Sequence, residues 1–150
     1  MSAIKERFKI IPAVYLVLKK DGKILLSHRC NTGYEDGNYI LVSGHLEGDE
    51  SFRQAMAREA KEEANLVLEP DNLKVSHIMH RKKEPGGDSE RIDIFLTVKK
   101  WKGEPKNMEL DKCDDLGWFS MDNLPENIVP YVKYVLKQIE KNEFYSEWGF

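Results

Sequence analysis

Apolar residues in this chain recur with two periods, and Gly, Pro, Asn and Asp punctuate the gaps between the runs. Residues 10–18 form a β-branched apolar run that stops at Lys19, Lys20, Asp21 and Gly22. Asp-Gly between two apolar runs is a hairpin signal, which makes residues 23–28 the second strand. Residues 31–38 contain Gly33, Asp36 and Gly37 and read as a loop. Residues 39–42 are short and apolar, as in a buried strand, and 44–50 are again a loop with Gly48 and Asp49. The period then changes. Phe52, Ala55, Met56, Ala60 and Ala64 recur in steps of three and four with no Gly or Pro between them, which predicts a helix over 51–64. Asp49 and Glu50 put negative charge at its start, where the helix dipole favours it. Asn65 follows its end and tolerates the left-handed conformation common there. Residues 73–79 and 92–98 read as strands joined by a polar loop around Pro85, Gly86 and Gly87, and 116–120 as a further short strand. Pro130 suits the first turn of a last helix, whose apolar stripe is Val132, Val135, Leu136 and Ile139. Strands interrupted by one central and one terminal helix predict an α/β/α sandwich around a mixed sheet. No repeat or linker divides the chain, so residues 1–150 are expected to form a single domain.

Composition narrows the classes without naming an activity. The 150 residues carry 23 Lys+Arg against 26 Asp+Glu, a net charge of −3, with 41% hydrophobic and 33% charged residues. Those shares belong to a globular chain rather than a disordered one. The lack of a basic surplus argues against a sequence-blind nucleic-acid binder, so no stable nucleic-acid partner is expected, while a substrate with a few phosphates remains open. No apolar run approaches the roughly 18 residues of a membrane span. Residues 1–9 are charged and lack the apolar stretch of a secretory signal. Cys30 and Cys113 lie far apart and read as reduced thiols. The expectation is a cytoplasmic protein with no membrane partner.

Chemistry concentrates on the central helix, which holds Arg58, Glu59, Glu62 and Glu63. Residues three and four apart share a helix face, so the three glutamates can project together, on the side that also carries Phe52 and Met56. Like charges so placed repel, and more strongly where partly buried, so the arrangement adds nothing to stability. A hard cation relieves the conflict, because Mg²⁺ takes oxygen ligands and is commonly shared between carboxylates and substrate phosphates. A solvated acidic face is the alternative reading of a lone Glu-Glu pair.

The upstream residues decide between the two. The chain reads Gly44, five residues, Glu50, seven residues, Arg58-Glu59, two residues, Glu62-Glu63, with Ala60 and Leu66 at aliphatic positions. This pattern resembles the signature of the Nudix hydrolases, the family that includes MutT-like pyrophosphohydrolases. The resemblance implies a Nudix-type α/β/α sandwich and metal-dependent hydrolysis, with Mg²⁺ or Mn²⁺, of a nucleoside diphosphate linked to another moiety. It implies that Glu59, Glu62 and Glu63 bind metal and that Arg58 and Glu50 fix the helix against its loop. Ser43 would add a backbone carbonyl to the metal. Water attack on phosphorus also needs a base. Glu59 is the first candidate, and the resemblance adds the loop acids Glu109, Asp114 and Asp115, all three of which can equally be a polar turn before the strand at Trp118. Homodimerisation is common in this fold by analogy.

Departures from the pattern are visible too. Asn65 stands where the family has glycine, a tolerable exchange at a left-handed cap. Val42, Ser43, Gly44 and His45 replace a frequent Pro-Gly-Gly, so this loop is expected to be stiffer. Substrate candidates are Arg29 and Arg81 for phosphates, Tyr34 for a base, and His45 for a phosphate or a backbone bond. The run Arg81, Lys82 and Lys83 reads first as a solvated loop. Markers that resemble those of the ADP-ribose, dinucleoside polyphosphate and coenzyme-A subgroups are absent. The default substrate is therefore a nucleoside triphosphate, ordinary or modified, cleaved to monophosphate and pyrophosphate. A binding module without turnover, and hydrolysis of ADP-ribose, dinucleoside polyphosphates or an RNA 5′ end, are the alternatives.

Overall fold

Alternation along the first strand decides the layering. In the computed structural model, which describes residues 3–150, β1 (Ile11–Val17) turns Ala13, Tyr15 and Val17 to one face and Val14 and Leu16 to the other, all buried. A strand apolar on both faces needs a layer on each. On the Val14 side lies α1 (Phe52–Ala64), which buries Ala55, Met56, Ala60 and Ala64. On the Tyr15 side lies α2 (Pro130–Glu140), which buries Tyr131, Val132, Val135 and Leu136. The main sheet runs β5 (Ser43–His45), β1, β7 (Arg91–Val98), β6 (Leu73–Arg81), β9 (Tyr145–Trp148). Its β1–β7 and β6–β9 pairs are parallel and its β1–β5 and β6–β7 pairs antiparallel. A second sheet pairs β3 (Lys23–Arg29) with β2 (Lys19–Lys20), β4 (Tyr39–Ile40) and β8 (Cys113–Ser120). This is the expected α/β/α sandwich around a mixed sheet, with one central and one C-terminal helix.

The local signals acted as their chemistry requires. Asp21 (φ 52°) and Gly22 (φ 73°) both take positive φ between β2 and β3, the geometry of a type I′ hairpin turn. Ser51 caps α1: its hydroxyl accepts from the Gln54 amide while the Gln54 side chain accepts from the Ser51 amide, a complete capping box. Asn65 ends the helix at φ 57°, ψ 31°, the left-handed cap expected of it. Ser51→Ala is expected to cost about 1 kcal/mol and lower Tm by about 2–4 °C in a calorimetric scan.

Three expectations need correction. Of the segment expected as a strand over 39–42 only Tyr39–Ile40 is strand (β4); Leu41 and Val42 are buried but lie between strands, and β5 on the other sheet takes Gly44 and His45 from the segment expected as a loop over 44–50. Strand β8 begins at Cys113 rather than Leu116, so Asp114 and Asp115 are strand residues and not a polar turn. Strand β9 had no apolar alternation to announce it. Its buried position is Ser146, whose hydroxyl meets His77 Nε2 at 2.7 Å, while Tyr145 is exposed.

Candidate active site

The central helix is fastened to the preceding loop by one arginine. Arg58 donates from Nε and Nη2 to the two carboxylate oxygens of Glu50 (3.0 and 2.8 Å) and from Nη2 to the His45 carbonyl (3.2 Å). Its Nη1 reaches Glu59 Oε1 at 2.8 Å. This fork holds the Glu50 carboxyl down to about 2, with help from the Glu47 amide. The pairing expected of Arg58 and Glu50 is therefore present, and Arg58 also orients Glu59.

The three motif glutamates are not equivalent. Glu63 is mostly buried, and its Oε2 accepts from the Ser43 amide at 3.2 Å. Burial first, then the neighbouring Glu59 and Glu109 carboxylates, push its carboxyl up to about 8. Burial also raises Glu59, which Arg58 opposes. Glu62 is half-exposed at the rim and leans on Arg58 at 3.4 Å. Among the described residues no three His, Cys, Asp or Glu side chains close on one point. Glu59 and Glu63 thus offer an open, oxygen-only pair rather than a finished cage. That donor set fits Mg²⁺ or Mn²⁺ shared with water and phosphate, and does not fit a structural zinc site.

Gly44 explains part of the motif. In β5 it packs so tightly on α1 that a Cβ built there would overlap the Glu59 carboxyl group. A flexible side chain can swing away, so Gly44→Ala is expected to leave Tm nearly unchanged while moving Glu59. Turnover should fall by about 10- to 100-fold. Activity equal to wild type would show that the Glu59 position is unimportant.

These groups line a cleft of about 760 Å³ that runs between α1, β5 and the loop after β3. Ser43, His45, Glu59, Glu62, Glu63, Arg29, Tyr34 and Arg81 all line it. The His45 ring is exposed at its edge. Arg29 donates from Nε to the Tyr34 carbonyl at 2.6 Å and lies 5.3 Å from the Tyr34 ring centre, so strand and loop form one wall. Of the candidate acids outside the helix, Glu109 lines the cleft and raises the Glu59 and Glu63 carboxyls. Asp114 is bonded to His28, Asp115 accepts from the Tyr39 hydroxyl at 2.6 Å, and neither is part of the lining.

Arg81 departs most from the sequence reading. It is not in a solvated loop but ends β6, only 4% exposed. It donates from Nε to Asp93 Oδ2 at 2.8 Å and from Nη1 to Glu84 at 3.0 Å. Its guanidinium carbon lies 4.2 Å from the Tyr131 ring centre. The Tyr131 hydroxyl meets those of Tyr15 (3.1 Å) and Tyr34 (3.0 Å), so a buried polar network ties the cleft floor to α2. Tyr15, Tyr131 and Asp93 escaped the sequence reading. The available signal was Asp93 itself, a lone acid within an apolar strand, on the same face as Arg81 one register diagonal away.

Comparison with known proteins agrees with this geometry. The family model described as NUDIX domain matches residues 9–139. The chain is 30% identical over 133 residues to an ADP-ribose pyrophosphatase of Methanocaldococcus jannaschii, covering 87% of this chain and 75% of that one. It is 27% identical over 135 residues to the NAD-capped RNA hydrolase NudC of Vibrio atlanticus, covering 89% of this chain but 45% of the relative, so it spans less than half of that longer protein. The crystal structure of a MutT NUDIX hydrolase from Burkholderia pseudomallei superposes with a TM-score of 0.79 at 25% identity, covering 87% of this chain and 98% of that one.

Proposed function

The chain belongs to the NUDIX family, and from that premise we propose that it is a divalent-metal-dependent pyrophosphohydrolase of nucleotide substrates. The observation that carries this reading is the pair Glu59 and Glu63, held by Arg58 and the Ser43 amide on one wall of a cleft of about 760 Å³. That volume lies within the range of small-ligand sites. Bound beside those carboxylates, Mg²⁺ or Mn²⁺ would neutralise phosphate oxygens and acidify a water. The protein's own groups do the rest. Glu63, Glu62 and the Ser43 carbonyl supply further oxygens. Glu59 accepts the proton of the attacking water, with Glu109 the other carboxylate in reach. Arg58 and Glu50 keep the helix in register with the loop, so that Glu59 does not drift. Arg29 lines the same cleft as Glu63, whose carboxyl its charge lowers, and meets the phosphate tail, while Tyr34 and His45 border the remainder of the substrate. Asp114 and Asp115, engaged by His28 and Tyr39, act only by supporting β3.

The preferred substrate is a nucleoside triphosphate, ordinary or modified, hydrolysed to monophosphate and pyrophosphate. A second reading has a specific ground. Both named relatives act on molecules in which a pyrophosphate joins two larger groups, so ADP-ribose-like and capped-RNA-like substrates belong in the same test. Purified protein with Mg²⁺ or Mn²⁺ should be offered ordinary and oxidised nucleoside triphosphates, ADP-ribose, dinucleoside polyphosphates, 5′-triphosphate RNA and NAD-capped RNA. Metal-dependent formation of a 5′-monophosphate product from at least one is expected, with pyrophosphate or the other phosphorylated fragment released. Silence across the panel, with nucleotide binding retained, would instead establish a binding module.

A further inference from the structure

The net charge of −3 conceals a strong segregation. Segments 19–23 and 99–112 together hold eight lysines against four acidic residues, so the remainder of the chain carries a net −7. All eight lysines are exposed, and none of the ion pairs among the described residues involves a lysine. The fold brings the two segments together. Lys20, Lys99, Lys100 and Trp101, with Gly103 and a single acid, Glu104, line a shallow depression of about 460 Å³. Trp101 is half-buried beside Trp118, their ring centres 6.5 Å apart, which fixes its indole as a rigid element of that surface.

From this depression the chain leads to the cleft along the end of α1. Lys102 pairs with Val67 in both backbone directions (3.0 Å each). The Lys106 amide donates to the Ala64 carbonyl at 2.9 Å, and the Met108 amide to the Glu63 carbonyl at 3.1 Å. Lys112 then lines the cleft itself. The segment that carries Lys102 and Lys106 therefore runs beside the helix end to the backbone of Glu63, the residue that supplies the buried carboxylate. Met108 and Leu110, both exposed, interleave with them. Unpaired cations spaced along a path, with apolar and aromatic contacts between, are what a single-stranded polynucleotide requires: charge for its phosphates and flat or apolar surface for its bases.

We propose that this lysine track binds the sugar–phosphate strand of a single-stranded polynucleotide whose 5′ phosphates occupy the cleft. The proposal rests on the pyrophosphohydrolase reading for the cleft and adds a second, separable binding surface. The strand is a transient substrate, consistent with the absence of an overall basic surplus.

The test uses a 3′-fluorescein-labelled RNA of roughly twelve nucleotides with a 5′-triphosphate, and a DNA strand of the same sequence, titrated by anisotropy without added divalent metal. The variant is Lys20→Gln/Lys99→Gln/Lys100→Gln, which leaves the cleft intact. It is expected to weaken strand binding at least about tenfold and to flatten the dependence of log Kd on log salt by about 0.7 per lysine removed. Lysine-dependent binding of either strand supports the track, and the two arms tell which sugar it accepts. Hydrolysis of the preferred mononucleotide should be unchanged in the same variant. Strand binding equal in wild type and variant overturns the proposal, as does lysine-dependent capture by anionic lipid vesicles with neither strand bound. Mononucleotide turnover with lysine-independent strand binding would defeat the track alone. Lysine-dependent strand binding with no hydrolysis of any nucleotide would defeat the pyrophosphohydrolase reading alone.

Discussion

Glu63→Gln is expected to lower kcat by at least about 100-fold while making the metal-free protein more stable at alkaline pH. Both effects come from one geometry. The Glu63 carboxyl is buried beside Glu59 and Glu109, which moves it from its ordinary 4.5 to about 8. The folded value lies above the unfolded one, so its favourable contribution to stability is complete below about pH 4.5 and is lost as pH rises through about 8. Glutamine is neutral throughout and escapes that loss. Metal-free wild type should therefore lose Tm between those pH values, and the variant should lose less. Added Mg²⁺ should raise the wild-type Tm at pH 8 and scarcely affect the variant, because a ligand stabilises only the state that binds it. Glu59→Gln should show the same loss of turnover. A site that destabilises its own fold in the absence of ligand is expected where function and stability compete.

The second large effect lies under the cleft floor. Arg81→Met should destabilise by about 3–5 kcal/mol, because it strands a fully buried Asp93 carboxylate without its partner. At this chain length that corresponds to a fall in Tm of roughly 6–20 °C in calorimetry. Arg81→Met/Asp93→Leu should recover much of the loss, since removing both charges also removes the desolvation cost. A single substitution no more harmful than an ordinary surface change would mean that the pair contributes nothing. Arg81 Nη1 also donates to the Tyr34 hydroxyl at 3.4 Å, so loss of the guanidinium releases Tyr34 and a rise in KM should persist in the double variant even where stability returns.

The contrast between these two regions shows what was legible in the sequence. Glu59, Glu62 and Glu63 lie within one helical turn, and Gly44, Glu50 and Arg58 lie at fixed steps before them, so local spacing carried the fastening of the helix. Ser51 and Asn65 marked its ends by capping chemistry that needs no tertiary information. The difference between Glu63 and Glu62 was not legible, because it depends on which side of α1 meets Ser43. Arg81 and Asp93 are twelve residues apart and meet only through the β6–β7 register. Without that register Arg81 is one of three consecutive basic residues beside a Pro-Gly-Gly loop, which reads as solvent-exposed. Strand β9 was hidden for a related reason: a buried Ser satisfied by a buried His inverts the usual apolar alternation. The grouping of the exposed lysines was not legible either, since a total of −3 says nothing of where the charges lie and segments 19–23 and 99–112 meet only in the fold.

The central claim, that this cleft hydrolyses a pyrophosphate bond through Glu59 and Glu63 with a divalent cation, is most directly tested by turnover of the best panel nucleotide in ¹⁸O-labelled water with Mg²⁺. Mass spectrometry should find a nucleoside monophosphate and its partner product, with the label in one of them. Chelation by EDTA or the change Glu59→Gln/Glu63→Gln should remove that turnover. Labelled product formed at the wild-type rate in EDTA, or by the doubly substituted protein, would contradict the account.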